Sequence, residues 1–243
     1  MRYGLIPPDL PHTCDGCDAP FTLQHTLCCK KGGLVISRHN EIRDELIHMA
    51  GKAMTPSAIR DESLIRPGRV AEKTITCPTT GIDLASSKEK DATGESDRGD
   101  LLLRGFWARG TDCIVDVRVT DTDAKSYCKR DPDKILESGE KLKKKKYLEA
   151  CLEQRRHFTP FVCSVDGLLG REAKTFAKQL AAKLAKKWQR SYSQTCGYVN
   201  ARLSIAIIRA THLCLRGSRI PTSKISTKFP QWEDGAGLAL FEC

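Results

Sequence analysis

Two stretches decide the fold: Asp100-Leu101-Leu102-Leu103-Arg104-Gly105-Phe106-Trp107 and Asp112-Cys113-Ile114-Val115-Asp116-Val117-Arg118-Val119. Both are short and apolar, Arg109-Gly110 lies between them, and the second is rich in β-branched residues. That pattern predicts a pair of adjacent antiparallel strands. The second strand carries a carboxylate, Asp116, between Val115 and Val117, where burial is expected. A buried carboxylate without a partner is expensive, so a metal ion or a cation is expected beside it. Arg104 or Arg118 could supply the cation for purely structural reasons. Asp100 begins the first strand, with fifteen residues between it and Asp116, so the two side chains can meet at one edge of the pair. Asp112, Asp121 and Asp123 fall at strand ends and read as turn residues.

Outward from this pair, apolar periodicity sets the remaining elements. Ile42, Leu46, Met49 and Ala53 recur at helical spacing over 38–54, and Pro56 ends that helix. Residues 57–65 suit a short strand. Asp131-Pro132 reads as a helix start, with Asp131 as cap and Pro132 at the first helical position, and the helix continues to 154 despite Gly139. Residues 158–165 form another strand, 170–188 a helix striped by Phe176, Leu180 and Leu184, and 194–215 a last helix expected to be buried. The order helix, strand, strand, strand, helix, strand, helix, helix predicts an α/β fold, a mixed sheet flanked by helices. Residues 66–97 hold few large apolar side chains and read as a flexible insertion. The expected units are therefore an arm at 1–33, a main domain at 34–216 and a tail at 217–243.

Forty Lys and Arg against thirty Asp and Glu give 243 residues a formal charge of +10. Such an excess favours a polyanionic partner, because phosphate contacts release counterions. No stretch approaches the ~20 apolar residues of a membrane helix. The first residues lack the apolar core of a secretion signal, so the chain is expected not to be secreted, and its twelve cysteines are expected to stay reduced. Eight of them (Cys77, Cys113, Cys128, Cys151, Cys163, Cys196, Cys214, Cys243) are scattered and mostly suit small buried hydrophobes.

The other four lie in 12–33, a stretch too small for a core. Cys14-x2-Cys17 is followed by His25 and then Cys28-Cys29. Seven residues separate Cys17 from His25 and three separate His25 from Cys29, a spacing that closes a Cys3His tetrahedral Zn2+ site. Cys28 is the alternative fourth ligand and His12 a competitor. A structural zinc would order an otherwise coreless segment.

Metal-dependent phosphodiester cleavage needs carboxylates converging on divalent ions, with a cation to orient water or neutralise charge. Asp100 and Asp116 are candidate carboxylates. Lys141, Lys143, Lys144, Lys145 and Lys146 crowd the helix that follows. Four consecutive residues point around a whole helix circumference, so at least one must face the sheet. Lys144 shares the stripe of Leu148 and Cys151, and Lys143 stacks four before Tyr147; either can reach the acidic pair.

These residues resemble the restriction-enzyme-like endonuclease of site-specific non-LTR retrotransposons, within the PD-(D/E)xK nuclease superfamily. The counterparts are the knuckle Cys14, Cys17, His25, Cys29; the helix start Arg38-His39-Asn40; Arg98-Gly99-Asp100; Asp116; and a lysine at Lys143 or Lys144. Most of the chain is also similar to reverse-transcriptase C-terminal regions, through residues 32–41, 109–119 and 152–160. Two positions depart from the pattern. Gly99 replaces the proline before the first Asp. Arg118 stands where the motif lysine belongs, and an arginine can hold phosphate but not act as a base.

The resemblance implies a restriction-endonuclease-like fold that nicks target DNA to prime reverse transcription, with Asp100 and Asp116 holding Mg2+ or Mn2+. It implies a nuclear protein, normally fused to a reverse transcriptase domain, with DNA and retroelement RNA as partners. Arg38, His39, Arg118, Lys145 and Lys146 would then face nucleic acid; for Arg38 and His39, a helix cap and a core histidine are the competing readings. A catalytically inactive nucleic-acid-binding module and a structural zinc protein are the alternatives to an enzyme.

Overall fold

The computed structural model describes residues 10–127, apart from 67–96, and residues 129–220. The expected insertion at 66–97 therefore lies outside the described residues, except for the two positions that end one strand and begin the next. So do Cys77, Cys128, Cys243 and the tail beyond 220.

Four strands form one sheet in sequence order: β1 (Ile59–Arg66), β2 (Asp97–Arg104), β3 (Asp112–Thr120) and β4 (His157–Ser164). β1, β2 and β3 pair antiparallel, and β3 and β4 pair parallel over eight residues from Cys113↔His157 to Thr120↔Ser164. A parallel neighbour cannot be reached by a hairpin. The crossover is a helix, α3 (Pro132–Glu153), and this βαβ unit carries the lysine run across one face of the sheet. Asp131 starts α3 as expected, its carboxylate accepting from the Asp133 N–H at 2.9 Å. The opposite face is covered by α2 (Leu34–Ala53) and α4 (Arg171–Trp188), and α5 (Tyr192–Arg216) packs outside them. The α/β expectation and the element order hold.

Alternation sorts the sheet's side chains between two cores. Leu101, Leu103, Cys113, Val115, Val117, Phe161 and Cys163 join Ile42, Leu46, Phe176, Leu180 and Leu203 in the larger one. Leu102, Ile114 and Phe158 meet Tyr147, Ala150 and Cys151 of α3 in the smaller. Because both faces are covered, β3 and β4 are buried nearly end to end. By the same period of two, Asp116 and Arg118 share the α3 side with Ile114.

Two glycines set approach distances. A Cβ on Gly139 would stand 3.3 Å from Val162 Cγ1 and 3.8 Å from the Arg118 side chain, so its absence seats α3 close on the sheet. A Cβ on Gly99 would collide with Ile114 Cγ2, so the position that departs from the nuclease pattern has no room for a proline ring.

Two expectations are corrected, and one short helix is added to the expected order. The strand starting at Asp100 ends at Arg104, because Gly105 turns at φ +73 and takes the Thr111 carbonyl; Phe106 instead stacks on Phe176 at 4.4 Å. The last helix is not buried throughout, since it packs on α2 and α4 along one side and leaves Ile208 65% exposed. The cysteine-rich segment contains a short helix, α1 (Leu23–Cys28), capped by Thr22, whose hydroxyl accepts from the His25 N–H. Among the described scattered cysteines, Cys113, Cys151, Cys163 and Cys214 are buried and Cys196 is half-buried.

α4 has no capping side chain of its own, because Gly170 occupies that position. Glu140 of α3 supplies it, its buried carboxylate accepting from the Glu172 N–H at 2.9 Å. Burial pushes the Glu140 carboxyl above its ordinary 4.5; the Glu172 N–H opposes this and the Glu172 charge adds to it. Between 4.5 and that raised value the folded chain holds a proton that the unfolded chain releases. Stability from this group therefore falls as pH rises through that window. Glu140→Gln keeps an acceptor for the cap, so it is expected to remove that slope and gain stability at neutral pH. Urea unfolding of both proteins across mildly acidic to neutral pH checks this; parallel stability curves would contradict it.

Candidate functional site

The β2–β3 ladder runs from Arg104↔Asp112 to Leu101↔Val115 and stops. One residue beyond, the Asp100 carboxylate takes the Val117 N–H through Oδ2, so a side chain replaces the next backbone bond. The strands part there, with Asp100 against the peptide that follows Asp116. His39, in the second turn of α2, places Nε2 3.1 Å from the same Asp100 oxygen. Burial opposes charge on His39, but its hydrogen bond to Asp100, that carboxylate's charge, Asn40 and Asp116 outweigh it and raise its pKa.

Asp116 is 5% exposed beneath α3. Lys143 Nζ lies 2.6 Å from its Oδ2, an ion pair whose angle leaves that oxygen without a proper hydrogen bond. Burial pushes the Asp116 carboxyl up, Lys143 pulls it down, Asp100 adds repulsion and His39 attraction, and the net direction is upward. His39 on Asp100 and Lys143 on Asp116 thus form two neighbouring pairs where the β2–β3 ladder stops. Arg118, half-buried on the same sheet side, runs past Gly139.

The lysine run divides as its helical angles require. Lys143 faces Asp116, whereas Lys144 pairs with Glu172 at 2.6 Å and so does not reach the acidic pair. Lys146 pairs with Asp97 at 2.8 Å, and Lys145 is exposed. Arg104 takes Asp112 at 3.1 Å rather than Asp116. Asp121 accepts from the Asp123 N–H, as a turn residue should. Arg38 is buried with its guanidinium on the Leu27 carbonyl at 2.9 Å, so it anchors the last turn of α1 and presents no charge to a nucleic acid. Glu172, Glu140 and Arg219 escaped sequence reasoning, because Glu172 and Glu140 act on residues 28 and 32 positions away and Arg219 reaches Thr26 and Asp15 from the far end of α5.

The cysteine cluster is formed as the spacing predicts. A bridge pairs Thr13 with Pro20, the Cys14 N–H bonds the Ala19 carbonyl at 2.9 Å, and α1 brings in His25 with Cys29 at its end. Cys14 Sγ lies 3.9 Å from Cys29 Sγ, Cys17 Sγ 3.8 Å from Cys29 Sγ, and Cys17 Sγ 3.3 Å from His25 Nε2. Tetrahedral zinc with bonds of about 2.3 Å to sulfur spaces two sulfurs about 3.8 Å apart. All four ligand atoms lie within 4.8 Å of one another, which is the one such group of three or more among the described residues. The donor set and spacing therefore fit Zn2+, whereas Asp100, Asp116 and His39 do not close into a comparable three-ligand set. Cys28 is exposed and its thiol contacts the Gln24 carbonyl; His12 is exposed as well. Burial opposes ionisation of Cys14, but the Gly16 and Cys17 N–H groups with the His25 and Cys17 side chains draw its thiol down to about 6. One thiolate is thus ready for a metal at neutral pH.

The knuckle is docked on the main unit. Arg219, beyond the end of α5, is 2% exposed and donates to the Thr26 carbonyl at 3.1 Å and the Cys214 carbonyl at 2.6 Å, while its backbone N–H meets Asp15 at 2.7 Å. No helix among the described residues is long and apolar enough to cross a membrane. Compared with known proteins, the chain matches no family model and no curated protein.

Because Arg38 and Arg219 both grip carbonyls of α1, ordering of the knuckle by zinc is expected to reach α2 and α5. Chelation should lower the melting temperature and speed hydrogen exchange at 23–40 and 210–219. Zinc at a hundredfold over its dissociation constant stabilises by about 2.7 kcal/mol. Cys28→Ser should keep one zinc per chain and Cys29→Ser should lose it, as read by metal analysis; equal zinc content would refute the ligand set.

Proposed function

We propose that this chain is a metal-dependent DNA endonuclease of the restriction-endonuclease-like kind, with a structural zinc knuckle in front of it. The observation that carries the reading is that the Asp100 carboxylate takes the Val117 N–H, one residue past Asp116, while Lys143 of α3 pairs with Asp116 where the β2–β3 ladder stops. The antiparallel pair, the parallel fourth strand and the crossover helix are compatible with that reading.

A divalent cation suits this place. Asp116 Oδ2 is buried without a proper hydrogen bond, and two carboxylates offer the hard oxygen donors that Mg2+ or Mn2+ takes. Asp100 and Asp116 would hold the ion, which supplies an acidified water and charge for the scissile phosphate. His39 fixes the Asp100 carboxylate by its 3.1 Å contact, leaving the second oxygen for other partners. Lys143 holds Asp116 in the resting protein. Once the carboxylate has another cation, the ammonium is free to orient the attacking water or meet the phosphate. Arg118, fixed in its charge, suits a flanking phosphate and not proton transfer.

Its resemblance to retrotransposon endonucleases extends the proposal to a role. The chain would nick one strand of target DNA in the nucleus so that the free 3′ end primes reverse transcription of a retroelement RNA, working beside a reverse transcriptase domain. Lys145, exposed on α3, and Lys146 near the strand opening would meet the DNA backbone.

Supercoiled plasmid should be converted to the open-circular form when Mg2+ or Mn2+ is added. Asp116→Ala and Lys143→Ala should each lower that rate by about two to three orders of magnitude, since a metal ion's charge stabilisation is worth several kcal/mol at 1.36 kcal/mol per decade. Agarose gels read the outcome. DNA binding without nicking would replace the enzyme by an inactive binding module, and an Asp116→Ala protein that nicks at the wild-type rate would remove the site assignment.

A further inference from the structure

At the far end of α2, thirteen residues and about 20 Å along the helix from His39, lies a cavity that the nuclease reading does not use. It has a volume of about 460 Å³ and opens between the ends of three helices, lined by Lys52, Trp188, Arg190, Gln194, Thr195 and Tyr198. That volume falls in the range of small-ligand sites.

The lining has a definite chemistry. Trp188 and Tyr198 are half-exposed and set edge to face, with ring centroids 5.2 Å apart and planes at 74°. Both pack against the larger core, so the rings are rigid walls. Lys52 donates to the Tyr198 hydroxyl at 3.1 Å, which fixes an ammonium at the rim. Arg190 is exposed in the turn before α5. No acidic residue lines the cavity, and Glu45, two turns back on α2, is already held by Arg202 at 2.7 Å. Gln194 and Thr195 offer groups able to pair with a polar edge, although the Thr195 hydroxyl already donates to the Ser191 carbonyl at 2.9 Å.

Two aromatic walls, an amide and two cations without a carboxylate select a flat aromatic group that carries negative charge. We infer that this cavity binds one nucleotide of an unpaired nucleic-acid strand, its base against Trp188 or Tyr198 and its phosphate between Lys52 and Arg190. Base stacking on aromatic side chains recognises every base, so the site takes single strands with little sequence preference. Duplex DNA cannot present an unstacked base, which makes this contact separate from the one at the parted strands. It stands whether or not Asp100 and Asp116 cut DNA.

The test uses the whole chain, fluorescein-labelled (dT)10 and (rU)10 read by anisotropy, and a bromouracil-substituted (dT)10 for crosslinking. Both decamers should bind, and irradiation should attach the bromouracil strand to the peptide spanning 188–198. Arg190→Glu and Gln194→Glu change exposed positions outside the packed walls. Each should weaken (dT)10 binding by about fivefold or more, within the roughly five- to hundredfold range that one stacked base carries. Neither should alter plasmid nicking, whereas Asp116→Ala should leave (dT)10 binding intact, so the two readings fail separately. Competition by dTMP at the same affinity would make the ligand a free nucleotide and overturn the strand. Equal competition by inorganic phosphate would reduce the site to an anion contact. Crosslinks confined to other peptides, or unchanged binding by both variants, would overturn the site itself.

Discussion

A carboxylate on a strand covered from both sides must be compensated, and the arrangement around Asp116 follows from that requirement. The compensation comes from Lys143, and Lys143 reaches it only because α3 crosses the sheet between two parallel strands. Gly139 lets the crossover lie close, and Glu140, the next residue, ties α3 to the start of α4. Lys144 repeats that tie through Glu172. The helix is thus tied to the start of α4 just before and just after Lys143, the residue that pairs with Asp116. Desolvation still leaves the Asp116 carboxyl above its ordinary range. The ion pair with Lys143 therefore offsets only part of the cost of taking this carboxylate out of water.

The parting of β2 from β3 is the second constraint. A backbone ladder that simply continued past Leu101↔Val115 would fill the space between Asp100 and Asp116 with amide bonds. The Asp100 side chain takes the Val117 N–H instead, so the donor is satisfied while the strands separate. His39 then holds that carboxylate from the larger core's side, whereas Lys143 holds Asp116 from the other side of the sheet. His39 and Lys143 thus give each acidic group its own partner.

Much of this was legible in residue order because it depends on local chemistry. The strand pair, the capped start of α3 and the ligand spacing of the knuckle each follow from residues a few positions apart. Lys143 against Lys144 was not legible. Both lie within reach by periodicity, and the choice depends on Glu172, which arrives from a helix 28 residues later. The resemblance places Arg38 on nucleic acid because it falls in the Arg38-His39-Asn40 helix start. Its burial follows from the docking of α1, a helix of six residues too short to announce itself by apolar periodicity. Exposure of Ile208 was hidden for a related reason: an apolar helix shows which residues can be buried, not how many neighbours will come to cover them.

Two buried arginines explain why the knuckle belongs to the main unit. A guanidinium removed from water needs acceptors for its fork of donors, and the ends of helices supply unpaired carbonyls. Arg38 takes one from Leu27; Arg219 takes Thr26 and Cys214, with Asp15 nearby as counter-charge. These acceptors lie in or beside the segment that the four metal ligands shape. Loosening the cysteine cluster would leave both guanidinium groups facing carbonyls no longer held in place, and a buried charge that loses its acceptors destabilises more than an exposed one. α2 carries Arg38 and His39 on consecutive residues, so the helix that feels the knuckle also positions Asp100. Physical continuity therefore runs from the cysteine cluster, through one turn of helix, to the first carboxylate of the site.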